Sequence, residues 1–120
     1  MRHLELFAGI GGFRRAMDLL TQDHIMDFHC IGYSEIDAKA VKTYCANYHP
    51  EVDGELAMGD IVEFTSNKNN MDNLPQFDLV TGGFPCQTFS MMGKQAGFNE
   101  DRGQMFFHII DILAVKMPRY

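Results

Sequence analysis

The stretch from His3 to Leu20 constrains this chain more than any other. A short apolar segment runs into a glycine cluster, and the cluster runs into an amphipathic segment. His3 to Phe7 sets Leu4 and Phe7 around Glu5 and reads as a strand. Ala8-Gly9-Ile10-Gly11-Gly12 permits a tight turn and close approach of the backbone to other groups. From there Phe13, Ala16, Met17 and Leu20 recur at i, i+3, i+4 and i+7, the spacing of a helix. A strand that enters a helix through a glycine turn needs a parallel partner strand, because its own helix carries the chain back across the sheet.

The rest of the chain supplies such partners. Met26 to Ser34 predicts a second strand. Asp37 is placed to cap a second helix through Ala38, Val41, Tyr44, Cys45 and Tyr48, which Pro50 should stop. Leu56 to Met58 is a weak third strand, followed by Gly59-Asp60-Ile61. Residues 66–76 hold four asparagines and read as a polar loop. Phe77 to Thr81 is a fourth strand that ends in Gly82-Gly83. Gly93 to Gly103 reads as a long loop. Gln104 to Lys116 reads as a helix with Phe106, Ile109, Ile110 and Leu113 on one face. Strands alternating with helices imply an α/β fold with a mostly parallel sheet covered on both faces. The chain ends at Tyr120, just after this helix, where a doubly wound fold would begin its next strand. The expectation is a sheet that stops after the fourth strand and its helix, leaving that strand an open edge.

Bulk properties narrow the function. The 120 residues suffice for one core, and 46% hydrophobic with 22% charged residues is an ordinary globular balance. No run approaches the length of a membrane span, and the N-terminus lacks the pattern of a secretion signal, so a cytoplasmic location is expected. The three cysteines, Cys30, Cys45 and Cys86, fit neither a disulfide framework nor a zinc motif, and no metal site is expected. Cys30 and Cys45 suit small buried positions. The net charge of -6 is wrong for a domain that grips nucleic acid by its phosphates. Either the chain does not bind DNA or the basic surface lies elsewhere.

The glycine turn puts backbone N–H groups and a helix N-terminus beside any ligand. Glu35, 23 residues after Gly12, stands where an acid can bond the ribose of a nucleotide-like cofactor. The same residues also suit a plain turn and a solvated acid. A nicotinamide fingerprint is excluded, since Arg14, Phe13 and Ala16 occupy positions where it needs glycine. S-adenosylmethionine is the alternative for this architecture. Its amino-acid part would approach the turn, and its ribose would meet Glu35. Asp60 would then face the adenine amino group, with Ile36 and Ile61 on either side of the ring.

Gly82-Gly83-Phe84-Pro85-Cys86-Gln87-Thr88-Phe89-Ser90 follows the fourth strand, on the rim of the sheet where ligands collect in open parallel sheets. A thiol held there by a proline suits covalent catalysis. Carbon 5 of cytosine is a poor nucleophile. A thiolate adding to carbon 6 makes carbon 5 an enamine carbon able to accept a methyl group. Reaching that atom requires the base to leave the helix.

Together these segments resemble the bacterial cytosine-5 DNA methyltransferase family. LELFAGIGGFRRAM is similar to the family's first motif, YSEID to its second and GDI to its third. GGFPCQTFSMMGKQAGFNEDRGQMFF is similar to its catalytic motif and the following loop. The resemblance implies a partial Rossmann-like, S-adenosylmethionine-dependent methyltransferase fold, with residues 1–120 as the N-terminal portion of a catalytic domain. It implies DNA methylation, in restriction–modification or a related role. Phe7, Ala8, Gly9, Ile10, Gly11, Gly12, Glu35, Ile36, Asp60, Ile61 and Pro85 would form the cofactor pocket, and Pro85 would also help hold the flipped cytosine. Cys86 would be the nucleophile. Gln87, Ser90, Lys94 and Arg102 would contact DNA. For Ser90, Lys94 and Arg102 the competing readings are a turn hydroxyl and two solvated charges.

The family's next motif, Glu-Asn-Val, its target-recognition domain and its closing helix are expected beyond Tyr120. The missing glutamate is a general acid, a role typically worth about 10²–10⁴-fold. The chain alone is therefore expected to be inactive or to be one half of a split enzyme. A complementary chain or a second copy could pair with its open edge. A non-catalytic cofactor-binding or assembly module and an RNA cytosine-5 methyltransferase are the competing functions.

Overall fold

The computed structural model describes residues 1–83 and 101–120, with side chains of 101–104 excepted. Four strands form one sheet: β1 (Arg2–Leu6), β2 (His29–Ser34), β3 (Leu56–Gly59) and β4 (Leu79–Gly82). Their order is β3-β2-β1-β4, and every pairing is parallel. The helices are α1 (Gly12–Gln22), α2 (Ala38–Tyr48), α3 (Pro50–Asp53), α4 (Ile61–Ser66), α5 (Lys68–Asn73) and α6 (Asp101–Lys116). The strand–helix alternation and the parallel sheet agree with the sequence, and the fold is that of a partial Rossmann-like methyltransferase.

The central strand β1 is buried on both sides. Leu4 and Leu6 join Met58, Ile61, Phe64, Met71, Leu74, Phe77 and Ile112 in the main core, beneath α4, α5 and α6. His3 and Glu5 alternate with them, so they lie on the opposite face, toward α1 and α2. There Tyr33 of β2 stacks on Tyr44 of α2 with ring centroids 4.2 Å apart. This second layer is small, aromatic and polar.

Several boundaries differ from the sequence reading. The region expected to be a loop, 66–76, instead contains α5, entered directly from α4. Asp60 caps α4 by accepting from the Val62 N–H, and Asn67 caps α5 by accepting from the N–H groups of Asn69 and Asn70. Met71 and Leu74 then pin the segment to the core, which outweighs its polar composition. Asp37 caps α2 as expected, accepting from Lys39 and Ala40. Pro50 does more than stop α2: it opens the single turn of α3. β2 begins only at His29, and α6 begins at Asp101 rather than at Gln104.

Two helix faces are also rotated from expectation. In α6, Met105, Ile109 and Ile112 turn inward, while Phe106 and Ile110 are more than one-third exposed. In α1 the buried residue is Arg14, and Phe13 and Ala16 lie outward. Arg14 is drawn in by an ion pair to Glu55, whose side chain is fully buried. The expected open edge of β4 is partly covered. Tyr120 donates from its N–H to the Asp78 carbonyl and accepts from the Val80 N–H, the pattern of a parallel bridge beside β4.

Candidate active site

The carboxyl ends of β1, β2, β3 and β4 converge on one rim, and the turns leaving them are bonded to one another. After β1, Phe7 takes up a left-handed conformation (φ 55°) and Gly9 another (φ 59°). Such a backbone costs about 1–3 kcal/mol for a residue with a side chain. Its neighbours hold it there. The Phe7 N–H donates to Ser34 Oγ at 3.1 Å, and the Ala8 N–H donates to the Ser34 carbonyl at 2.8 Å. The Gly9 N–H donates to Glu35 Oε1 at 2.8 Å, while Oε2 accepts from Ile36 and Asp37. Glu35 thus belongs to the scaffold of the rim: one carboxylate joins the glycine turn to the turn after β2.

The glycine turn is gripped from the other side by α2. Gly11 sits at φ 91°, and a Cβ there would lie 2.3 Å from the Tyr48 ring. The Tyr48 hydroxyl donates to the Gly11 carbonyl at 2.9 Å, and the Arg14 guanidinium stands over the same ring. Gly11 therefore makes room for an aromatic side chain of its own fold.

Two hollows open on this rim. One, of about 230 Å³, is lined by Phe7, Ser34, Glu35, Ile36, Gly59, Asp60, Ile61, Gly83 and Met105. The other, about 500 Å³ and shallower, is lined by Phe7, Ala8, Gly12, Phe13, Ala16 and Gly83. They meet at Phe7 and Gly83. Each has an apolar wall, and the first carries the carboxylates of Glu35 and Asp60. An elongated molecule with a ring at one end and a polar tail at the other suits such a pair.

Of the residues singled out from sequence, Phe7, Ala8, Gly12, Glu35, Ile36, Asp60 and Ile61 line one hollow or the other. Gly9, Ile10 and Gly11 line neither. Gly9 is bonded to Glu35, Ile10 is exposed and Gly11 faces Tyr48. Pro85, Cys86, Gln87, Ser90 and Lys94 lie outside the described residues. Arg102 stands in the first turn of α6, and its side chain lies outside them too. Sequence reasoning missed Ser34, Gly59, Gly83, Phe13, Ala16 and Met105. Ser34 and Gly59 end strands and Gly83 follows one directly, and that position alone could have flagged them. Met105 gave no such signal.

Among the described residues there are two cysteines, Cys30 and the half-buried Cys45. Cys30 is buried with its thiol pushed up to about 11, chiefly by burial and then by the Glu55 charge, so it stays protonated and inert. Among the described residues no cluster of His, Cys, Asp or Glu is arranged to hold a metal, and no helix is long and apolar enough to cross a membrane.

The sequence that builds this rim has known counterparts. The C-5 cytosine-specific DNA methylase family matches residues 1–120. The chain belongs to this family. It is 41% identical over 120 residues to the orphan methyltransferase M.Rho11sI of Bacillus phage rho11s, covering all of this chain and 22% of that protein. It is 39% identical over 119 residues to the type II methyltransferase M.BanI of Aneurinibacillus aneurinilyticus, covering 99% and 25%. To the type II methyltransferase M.HpaII of Haemophilus parainfluenzae it is 41% identical over 116 residues, covering 97% and 28%. The chain thus spans about a quarter of the length of these methylases.

Proposed function

We propose that this chain binds S-adenosylmethionine across the two hollows and carries the nucleophile, Cys86, of a DNA cytosine-5 methyltransferase. The observation that carries the reading is the meeting of both hollows at Phe7 and Gly83, three residues before Cys86 in the sequence. Glu35 has an oxygen pair on the wall of the first hollow, where ribose hydroxyls can donate to it. Ile36 and Ile61 offer apolar surface to the adenine, and Asp60 accepts from its amino group. Ala8, Gly12 and the first turn of α1 receive the amino-acid tail. When bound there, S-adenosylmethionine supplies an electrophilic methyl group. The chain's own chemistry is the Cys86 thiolate, whose addition to carbon 6 of a flipped cytosine makes carbon 5 nucleophilic. Gln87, Ser90, Lys94 and Arg102 meet the DNA strand.

Two measurements test this. Calorimetry of the chain with S-adenosylhomocysteine is expected to show binding that Glu35→Ala weakens. Incubation of the chain, joined to or mixed with a C-terminal portion that carries the Glu-Asn-Val motif and the target-recognition domain, with duplex DNA containing 5-fluorocytosine and S-adenosylmethionine is expected to give a covalent adduct that Cys86→Ser abolishes. No heat at millimolar ligand overturns the cofactor assignment. Binding without an adduct makes the chain a cofactor-binding module that does not itself attack DNA. An adduct that forms on 5-fluorocytosine RNA and not on DNA changes the substrate.

A further inference from the structure

The N-terminus of α1 poses a problem that its own sequence does not solve. The N-cap residue is Gly11, which has no side chain to accept from the free N–H groups of the first turn. Glu5 meets the need from another element. It lies on β1, is fully buried, and its Oε2 accepts from the Arg14 N–H at 3.0 Å. The Phe13 N–H also acts on this carboxylate. Arg14 and Phe13 are the third and second residues of the helix, whose N–H groups an N-cap side chain would normally satisfy. Among the described residues the other oxygen, Oε1, has no hydrogen-bond partner, and neither has Nδ1 of buried His3. A carboxylate held under a helix terminus with one oxygen unsatisfied is a costly arrangement for packing alone.

We infer that Glu5 is a positioning residue for the cofactor turn: its carboxylate caps α1 from the strand below and so fixes the glycine turn and the first helical turn in the form that receives the ligand's tail. The inference rests on the cofactor assignment proposed above. Gly12 and Phe13, which border the second hollow, are in the turn that Glu5 fastens. Tyr48 secures the same turn through the Gly11 carbonyl, so the two grips act on opposite polar groups of one peptide segment.

The groups around Glu5 set its response to pH. His3 shares its strand face, and Arg14 and Asp18 come from α1. Tyr48 comes from α2, Cys30 lies opposite His3 on β2, and Glu55 precedes β3. Burial pushes the Glu5 carboxyl up to about 7, against the pull of the Arg14 and Phe13 N–H groups. His3 is neutral at this pH, since burial and Arg14 lower its imidazole to about 4. Glu5 therefore passes from a neutral to a charge-assisted acceptor near neutrality, and ionised acceptors bind N–H groups more strongly.

The test measures S-adenosylhomocysteine affinity from pH 6 to pH 8, with amide exchange at Phe13 and Arg14 read beside it. The wild-type chain is expected to bind more tightly as pH rises through about 7. Glu5→Gln, with the same shape and no charge, is expected to bind about tenfold more weakly at pH 8, with no pH dependence. Protection of the two amides should fall with it, and Glu5→Asp should restore part of the pH profile. Wild-type affinity, profile and protection in Glu5→Gln overturn the role of Glu5 and leave the cofactor assignment standing. No binding by a folded wild-type chain overturns that assignment and the ligand-positioning role with it, while amide protection still reports separately on the cap.

Discussion

Folding moves a proton between His3 and Glu5, and this gives a stability prediction that no inspection of net charge would suggest. Both residues are fully buried. The Glu5 carboxyl rises from the ordinary 4.5 to about 7, and the His3 imidazole falls from 6.5 to about 4. In the unfolded chain between pH 4.5 and 6.5, the imidazole holds a proton and the carboxyl does not. In the folded chain the reverse holds. Each state binds one proton, so this pair makes almost no contribution to the slope of stability against pH. Each partner alone would make a large one. At about 1.4 kcal/mol per pH unit, either displacement is worth about 3 kcal/mol, a sizeable share of a typical total of about 5–15 kcal/mol. The signs are opposite. A raised carboxyl gives stability that is present below pH 4.5 and lost as pH rises to about 7. A lowered imidazole gives stability that is present above pH 6.5 and lost as pH falls to about 4. His3→Gln should therefore lose about 3 kcal/mol relative to wild type as pH rises from 4.5 to 7, and Glu5→Gln should gain about 3 kcal/mol from pH 4 to 6.5. The double variant should follow the wild-type slope. Urea unfolding at half-unit steps of pH measures all four proteins. Asp78, held below the usual carboxylate range by Arg2, affects each of them alike and cancels between them. Four parallel curves would refute the reasoning.

Two further outcomes follow from the same layer and from the helix caps. Glu55→Gln removes the charge that faces buried Arg14, leaving it Asp18 and the more distant Asp53, both partly exposed. Breaking a buried pair in this way is expected to cost about 3–5 kcal/mol, read as a lower urea midpoint with an unchanged m value. Asn67→Ala removes the side-chain acceptor for Asn69 and Asn70 at the start of α5 and should cost about 1 kcal/mol; no loss would return 66–76 to the loop expected of its composition.

The parts of the site legible in the sequence were those fixed by backbone requirements. A glycine cluster after a strand, an acid closing the next strand and an N-cap aspartate all declare themselves by residue type, because few alternatives satisfy the same φ or the same free N–H groups. Asp37 caps α2 as read, and Gly12 and Glu35 stand on the rim, with Glu35 tied to the Gly9 N–H. Gly11 shows where that reasoning runs out. Its type announced a special position, but the cause was Tyr48, which lies 37 residues away and is brought there by packing. The rotated faces of α1 and α6 have a similar origin. Apolar spacing in α1 pointed to Phe13 and Ala16, yet Arg14 turns inward because Glu55 waits there fully buried, and the helix turns with it.

Glu5 and His3 were the hardest to read, and the reason is architectural. On a strand with one wet face, alternating polar residues mean solvent. β1 lies between β2 and β4 and has helices over both faces, so beyond the exposed Arg2 at its start its polar residues, His3 and Glu5, have no solvent to face. A charged side chain in such a strand must find hydrogen-bond donors inside the protein. The donors nearest the end of a strand that feeds directly into a helix are that helix's own free N–H groups. The same short glycine turn that lines the hollows of the rim therefore also brings the helix terminus back over the strand, within reach of position 5. An acid one residue before the end of the first strand and a glycine N-cap are thus two halves of one device: the glycine leaves the cap position bare, and the strand supplies the carboxylate it lacks.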